Sequence, residues 1–226
     1  MKEIKEQKQI DRIIRDSEFQ KYFSMDIKDK THLFLAKANE HIFEEGESAQ
    51  WLLYMTSGRA KLRSTSANGK TTLLDFPKAP WFLGEIELFG TRTSTLEVKC
   101  LEDSYILGIS TEEYGDMLLN DNQFLRNMCR CIAQKETQRV ADLMNQQGFP
   151  LKNRLADFIL RCSVQGQYKE RNVDAAEYLG VSYRHLQEVM SELIEQHMIT
   201  KHQRVYTICN RNALEKLTSE INQMRN

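Results

Sequence analysis

The chain has 226 residues, 41% of them hydrophobic and 28% charged, with a formal net charge of −1. These values are ordinary for a globular protein with one medium and one small domain. They exclude a membrane-spanning chain, because no stretch approaches the roughly 18–20 uninterrupted apolar residues of a span.

The charge is unevenly spread: residues 150–226 carry 11 basic and 9 acidic side chains, and residues 1–149 carry 20 and 23. A small nucleic-acid-binding module needs a local basic face, not a basic protein, so near-neutrality does not argue against one. The first sixteen residues, "MKEIKEQKQIDRIIRD", are charged throughout and form no secretory signal, which places the expected location in the cytoplasm. Five cysteines, an odd number at wide spacing, point to reduced thiols and not to a disulfide framework.

In chain order, residues 3–22 set Ile4, Ile10, Ile13, Ile14 and Tyr22 among charges, the pattern of one or two amphipathic helical turns. From Asp29 to Ser110 the texture is that of strands. Short runs such as "HIF", "WLLYMTSG", "RAKLRSTSANGKTTLLDF", "PWFLGEIELFG", "TLEVKCL" and "SYILGIS" alternate with turn residues. Asn68-Gly69 between two such runs predicts a hairpin, since both central residues of a type I′ turn need positive φ. Many short strands at regular spacing predict an antiparallel sandwich or barrel.

Helices follow. Thr111 is placed to cap one, with Glu112, Glu113 and Asp116 in its first turns, and Asn120 or Asp121 to cap another. The second runs to about Gln147 without Gly or Pro. Leu125, Met128, Cys129, Ile132, Ala133, Val140, Leu143 and Met144 form a stripe along it at three/four spacing. A helix of about 25 residues reaches close to 40 Å and outruns a small barrel. The stripe is therefore expected to meet a second copy of the chain, with Leu125, Met128, Cys129, Ile132, Val140 and Leu143 at the contact.

Gly148-Phe149-Pro150 breaks the helix and marks a domain boundary. The expected division is 1–119, 120–147 and 148–226. Residues 151–165 read as an amphipathic helix. Two short helices come next, then a third from Val189 to Gln196, and "ITKHQRVYTI" reads as a hairpin turning at His202-Gln203.

"AAEYLGVSYRHLQEVM" has the layout of a helix-turn-helix: small Ala175 and Ala176 where two helices cross, and Gly180 in the turn. Ser182 is the N-cap of the second helix, and Val181, Leu186 and Val189 hold that helix down. Tyr183, Arg184, Gln187 and Glu188 then share the outer face. Arg can bond guanine bidentately, Gln can bond adenine, and Glu can accept from cytosine N4. Lys201, His202 and Arg204 in the hairpin are placed for phosphate, as a wing would be, and Arg171 ahead of the first helix joins the set.

Taken together, these segments resemble the cyclic-AMP receptor protein/fumarate-nitrate reductase regulator (CRP/FNR) family from about Thr31 to Asn210. "HIFEEGESAQWLLYMTSGRAKL" and "FLGEIELFG" carry the likeness to its barrel, and "NVDAAEYLGVSYRHLQEVMSELIEQHMI" the likeness to its DNA-binding helices. Within the family the chain is similar to YeiL-type regulators, through "NGK..LLDF..AP.F.GEIEL" and "AAEYLGVSYRHL". The resemblance implies an α+β chain: a cyclic-nucleotide-binding-type β jelly roll, a long dimerisation helix and a C-terminal winged helix-turn-helix. It implies a homodimeric transcription regulator on a two-fold DNA site.

Departures from the family pattern shape the rest. Nucleotide-binding members hold ribose with a Gly-Glu pair and the cyclic phosphate with a downstream Arg-Ser pair. Gly84-Glu85 matches the first. "TRTSTLEV" falls one residue short and puts Ser94-Thr95 at the second, with Arg92 two positions early. Without an Arg fork a buried phosphate is poorly compensated, so cyclic AMP is not the expected effector. Arg139 and Val140 also replace the small hydroxyl residues that such members offer to the base. Glu85 is then expected to be a structural carboxylate bonding loop amides. The cysteine cluster of the oxygen-sensing branch is absent, the first cysteine being Cys100. Cys129 and Cys131, two apart on a helix, project about 200° apart and cannot grip one ion.

No metal and no cofactor is expected, and the effector is left unnamed. An enzyme needs a nucleophile, base or metal constellation. The five histidines lack metal-ligand spacing, and neither a Ser-centred elbow nor a phosphate-cradling loop occurs. The expected partners are double-stranded DNA, a second copy of the chain and, for an activator, RNA polymerase; a membrane is not among them. The alternative is a ligand- or thiol-sensing barrel module that acts through protein partners without specific DNA binding.

Overall fold

The computed structural model describes residues 1–66, 69, 71–90, 95–219 and 221, with the side chains of residues 145–147 left aside. It contains two compact units, Met1–Ala133 and a second that begins at Gln134.

The first unit opens with a strand β1 (Lys2–Ile4), a helix α1 (Gln7–Asp16) and a 3₁₀ turn (Phe19–Tyr22). Residues 2–4 pair antiparallel with β2 (Thr31–Ala36), so the expected N-terminal helical stretch begins instead as a strand. Ile10 and Ile14, one turn apart, are the buried side of α1. The strands β3 (His41–Phe43), β4 (Trp51–Met55), β5 (Ala60–Thr65), β6 (Thr71–Asp75) and β7 (Trp81–Leu83) follow. Then come a one-turn helix α2 (Glu85–Leu88) and the strands β8 (Glu97–Cys100) and β9 (Ser104–Ser110). They form two antiparallel sheets, ordered β1-β2-β9-β4-β7 and β3-β8-β5-β6.

The first sheet is covered on both faces, and its strands divide their side chains by the period of two. Leu52 and Tyr54 of β4 enter one core with Leu33, Leu107, Ile109, Phe19 and Phe124. Leu53 and Met55 enter the other with Ala36, Ile106, Val98 and Cys100. This explains why "WLLYM" is a continuous apolar run and not an alternating one. β5 and β6 do form a hairpin. Thr65 pairs with Thr71, so five residues separate the strands where a two-residue turn was expected, and Asn68 lies outside the described residues.

Helix α3 (Thr111–Leu119) is capped by Ser110, whose Oγ accepts from Glu113 N at 3.3 Å. The expected cap, Thr111, instead donates its hydroxyl to Ala49 O at 3.1 Å. Helix α4 (Asn122–Gly148) has 27 residues. Asp121 caps it: Oδ1 accepts from Gln123 N (2.9 Å) and Phe124 N (3.3 Å).

The predicted stripe on α4 splits between two faces. Met128 is fully buried in the barrel core with Phe124, and Leu125 and Cys131 pack against the same core. Met128 therefore serves the barrel and not a free face. Cys129 is exposed, and so are Val140 (46%), Leu143 (61%) and Met144 (57%). The helix breaks after Gly148, yet its residues from Gln134 onward group with the C-terminal unit.

The second unit contains α5 (Leu151–Cys162), β10 (Gln167–Tyr168), α6 (Asn172–Tyr178), α7 (Tyr183–Glu195), β11 (Ile199–His202), β12 (Val205–Ile208) and α8 (Arg211–Leu217). β10 adds to the predicted hairpin to make a three-stranded sheet, β10-β12-β11. Residues 183–195 are one helix and not two, since no breaker interrupts "LQEVMSELIE". The hairpin pairs His202 with Val205, so it turns at Gln203-Arg204, with Gln203 at φ +53, one residue later than expected.

Candidate DNA interface and barrel pocket

The candidate reading face is built from α6, its turn and α7. Ala175 and Ala176 are buried on α6. Gly180 takes φ +66, the left-handed conformation that ends the helix cheaply without a Cβ. Ser182 Oγ accepts from His185 N at 3.2 Å and so fixes the first turn of α7. Leu186, Val189, Met190 and Leu193 are buried, which turns the opposite side of α7 outward.

On that side Tyr183 is 53% exposed. Arg184 Nε donates to Glu188 Oε1 at 3.1 Å, and both side chains stand in solvent. His185 is exposed beside them. Gln187 differs: its Nε2 is buried and has no hydrogen-bond partner among the described residues. An orphaned amide nitrogen of this kind costs about 1–3 kcal/mol.

Lys201, His202, Gln203 and Arg204 are all exposed at the tip of the β11–β12 hairpin. The Lys201 ammonium sits 5.4 Å from the centroid of the Tyr206 ring, which supports its stem on the sheet. Arg171, the N-cap residue of α6, grips Asp174 with Nη2 (2.6 Å) and Nε (3.1 and 3.2 Å) while remaining largely exposed. Part of its donor set is thus committed inside the fold. The region also holds Arg154, Arg161 and Tyr178, which hold α6 and α5 together. Sequence spacing does not announce them, because the arginines' acceptors are two backbone carbonyls (Phe149 O and Leu179 O), the Tyr178 hydroxyl and the carboxylate of Asp142, none of which leaves a pattern in the chain.

Of the residues proposed for an effector in the barrel, Gly84 and Thr95 have other duties. Gly84 adopts φ +84, and a Cβ there would lie 2.4 Å from Trp51 O, so the close approach of β4 demands glycine. Glu85 opens α2 and is 4% exposed. Thr95 is 2% exposed; its hydroxyl donates to Glu44 O (2.5 Å) and Glu47 O (3.2 Å), and its N–H also donates to Glu47 O (2.8 Å). Thr95 is therefore a clasp on the β3–β4 loop, and its hydroxyl is already engaged with the backbone. Arg92 and Ser94 lie outside the described residues. Phe34, Phe43, Trp51 and Trp81 pack against the apolar cluster between the two sheets. Among the described residues no group of three His, Cys, Asp or Glu side chains is placed to hold a metal ion, and no helix is long and apolar enough to cross a membrane.

A barrel of this kind joined through a long helix to a winged helix-turn-helix is the build of a DNA-binding transcription regulator. The chain belongs to the CRP/FNR family of such regulators. The Cyclic nucleotide-binding domain family matches residues 34–121, and the Crp-like helix-turn-helix domain matches residues 153–217. The chain is similar to "Regulatory protein YeiL" of Escherichia coli O157:H7, with 40% identity over 206 residues that cover 91% of this chain and 94% of the relative. Among solved structures, a CRP/FNR-family regulator from Eubacterium rectale aligns at 16% identity over 85% of this chain and 92% of its own, with a TM-score of 0.70. A CRP-family regulator from Thermus thermophilus aligns at 17% over 82% and 96%, with a TM-score of 0.64. These two share the fold.

Proposed function

We propose that the chain acts as a homodimer that reads a two-fold DNA site, one α7 per half-site, without cyclic AMP as its effector. The observation that carries this reading is the outer face of α7, where exposed Tyr183, Arg184 and Glu188, with half-buried Gln187 among them, follow the Ser182 cap beside a wing tipped by Lys201, His202 and Arg204. Base contacts come from α7, and phosphate contacts come from the wing and Arg171. The role is binding and not catalysis.

Dimerisation uses the outward stripe of α4, namely Cys129, Val140, Leu143 and Met144. Those exposed apolar side chains are costly to leave in water and are repeated at the spacing that a second helix covers. In functional terms residues 1–119 form the effector domain, 120–147 the dimer helix and 148–226 the reading domain. The barrel biases two arrangements of the dimer helices and so the separation of the reading helices against one turn of DNA, roughly 34 Å. Cys129, exposed on the dimer face, is the thiol through which oxidation would enter that equilibrium. The protein works in the cytoplasm, and RNA polymerase is its third partner where it activates.

The test is selection of genomic DNA fragments by the purified, reduced protein with no ligand added, at a stated salt concentration. Enrichment of a palindromic site supports the reading. Enrichment only after oxidation assigns the effector role to a thiol, and enrichment only with cyclic nucleotide overturns the statement on cyclic AMP. Failure under every condition removes specific DNA binding.

A further inference from the structure

Helix α5 carries Arg154 and Arg161, seven residues and so two turns apart on one face. Each joins the end of α4 to the end of α6. Arg154 donates from Nε to Phe149 O at 3.1 Å and from Nη1 to Leu179 O at 2.7 Å. Arg161 Nη1 donates to Asp142 Oδ2 at 3.3 Å and to Tyr178 Oη at 3.2 Å. Gln138 Nε2 holds the other Asp142 oxygen at 3.1 Å.

The two acceptors on the reading side are consecutive. Tyr178 ends α6 and Leu179 is its C-cap, directly ahead of the Gly180 turn. The ring of Tyr178 also packs on Phe158 of α5 at 5.0 Å between centroids. The two acceptors on the other side flank the helix end, Asp142 within α4 and Phe149 just past it. The break at Gly148-Phe149-Pro150 is therefore spanned twice and is no free joint. The Arg161 and Asp142 side chains are only 22% and 18% exposed, so salt screens this pair less than a surface pair. Burial also lowers the pKa of the Arg154 guanidinium, a sign of the reduced solvation in which its carbonyl bonds are stronger.

We infer that Arg154 and Arg161 form a staple that fixes the reading helix on the last turns of α4, and thereby sets the separation of the two reading helices in the dimer. They are positioning residues. Their loss changes which half-site spacing is accepted and leaves the half-site sequence unchanged. The inference rests on the two-fold DNA reading given above.

The test uses full-length wild type, Arg161→Asp, the charge exchange Asp142→Arg with Arg161→Asp, and Tyr178→Phe. Each is measured by competition binding to two-fold sites whose half-sites are moved apart or together by one or two base pairs. Wild type is expected to prefer one spacing by about tenfold or more, and Arg161→Asp by less than about threefold. The exchange variant is expected to regain the wild-type preference. A wild-type spacing preference in Arg161→Asp overturns the inference; if that variant does not fold, Tyr178→Phe decides, with a smaller loss in the same direction expected. Amide hydrogen exchange without DNA gives a second readout. In the variants, exchange over 138–144 and 176–181 is expected to rise together, and a rise in only one of these segments would also overturn the staple. If wild type selects no two-fold site, the DNA reading fails, and the exchange result still judges the staple on its own.

Discussion

Arg184 and Glu188 stand 3.1 Å apart with side chains 91% and 60% exposed. Arginine preceding glutamate is the weaker order for such a helical pair, and solvent screens it further. The pair therefore opens readily, and each partner can turn to a base edge. Arg184→Ala is expected to relax specificity at one base pair per half-site, at a cost of about 1–3 kcal/mol there. Competition against singly substituted sites reads this directly, and uniform weakening on all sequences would make Arg184 a phosphate contact instead. Gln187 behaves differently because its amide nitrogen is buried with no hydrogen-bond partner among the described residues. Turning it onto adenine supplies the missing partner. Gln187→Ala is expected to leave urea stability unchanged or raise it by up to about 1 kcal/mol, while discrimination at one base pair is lost. A marked loss of stability would show that the amide serves the fold and not the DNA.

At the scale of the element, α4 is two half-helices in their duties. Its first turns are tied to the N-terminal segment. Asp121 Oδ2 accepts from Ser24 N (2.8 Å), Gln123 Nε2 donates to Lys21 O (2.8 Å) and Phe23 O (3.0 Å), and Phe23 stacks on Phe124 at 5.3 Å. Burial is the largest single influence on the Asp121 carboxyl and opposes ionisation. The hydrogen bonds from Ser24, Phe124 and Gln123 together outweigh it and hold its pKa below the ordinary value. A depressed folded-state pKa means the contribution is complete above the unfolded value, about 3.9, and is lost as pH falls through the folded one. Asp121→Asn is expected to cost about 1–2 kcal/mol at neutral pH and to flatten the acid limb of the stability curve. Urea titrations between neutral pH and pH 3 provide the check. An unchanged acid limb would mean that other carboxylates set it.

At the scale of the whole molecule, the outward stripe of α4 has nothing to gain from the monomer. Leu143 is 61% exposed, so Leu143→Glu is expected to leave the unfolding of a single chain nearly unchanged. In a two-fold dimer the substitution occurs twice at one contact, and sedimentation is expected to show dissociation about tenfold or more easier, with DNA affinity falling in step. An unaltered dimer would place the interface elsewhere. For the barrel, the engagement of the Thr95 hydroxyl with Glu44 O and Glu47 O leads to an expectation of no binding heat when cyclic AMP is titrated into the protein. A saturable heat would reverse that reading.

The helix-turn-helix was legible in the sequence because its constraints are local. Ala175 and Ala176, Gly180, Ser182 and Leu186 lie within one short stretch, and each answers to sterics or capping that neighbours along the chain supply. The long helix, the antiparallel character of the barrel and a cap at Asn120 or Asp121 were legible for the same reason, and the structure selects Asp121. Partnerships made across space were not. "QY" became β10 because the distant β12 paired with it, and residues 2–4 became an edge strand because β2 offered its free side. Ser110 displaced Thr111 as cap because Ala49 O claimed the threonine hydroxyl. Met128 and Cys129 belong to one stripe by spacing, yet the barrel covers the first and leaves the second bare. Helical period says which residues share a side, and only packing says what that side meets. The helix-turn-helix could thus be read from the chain alone, whereas the side chains that hold its second helix in place emerge only from the packed structure, because hydrogen bonds between residues far apart in the chain leave no period to read.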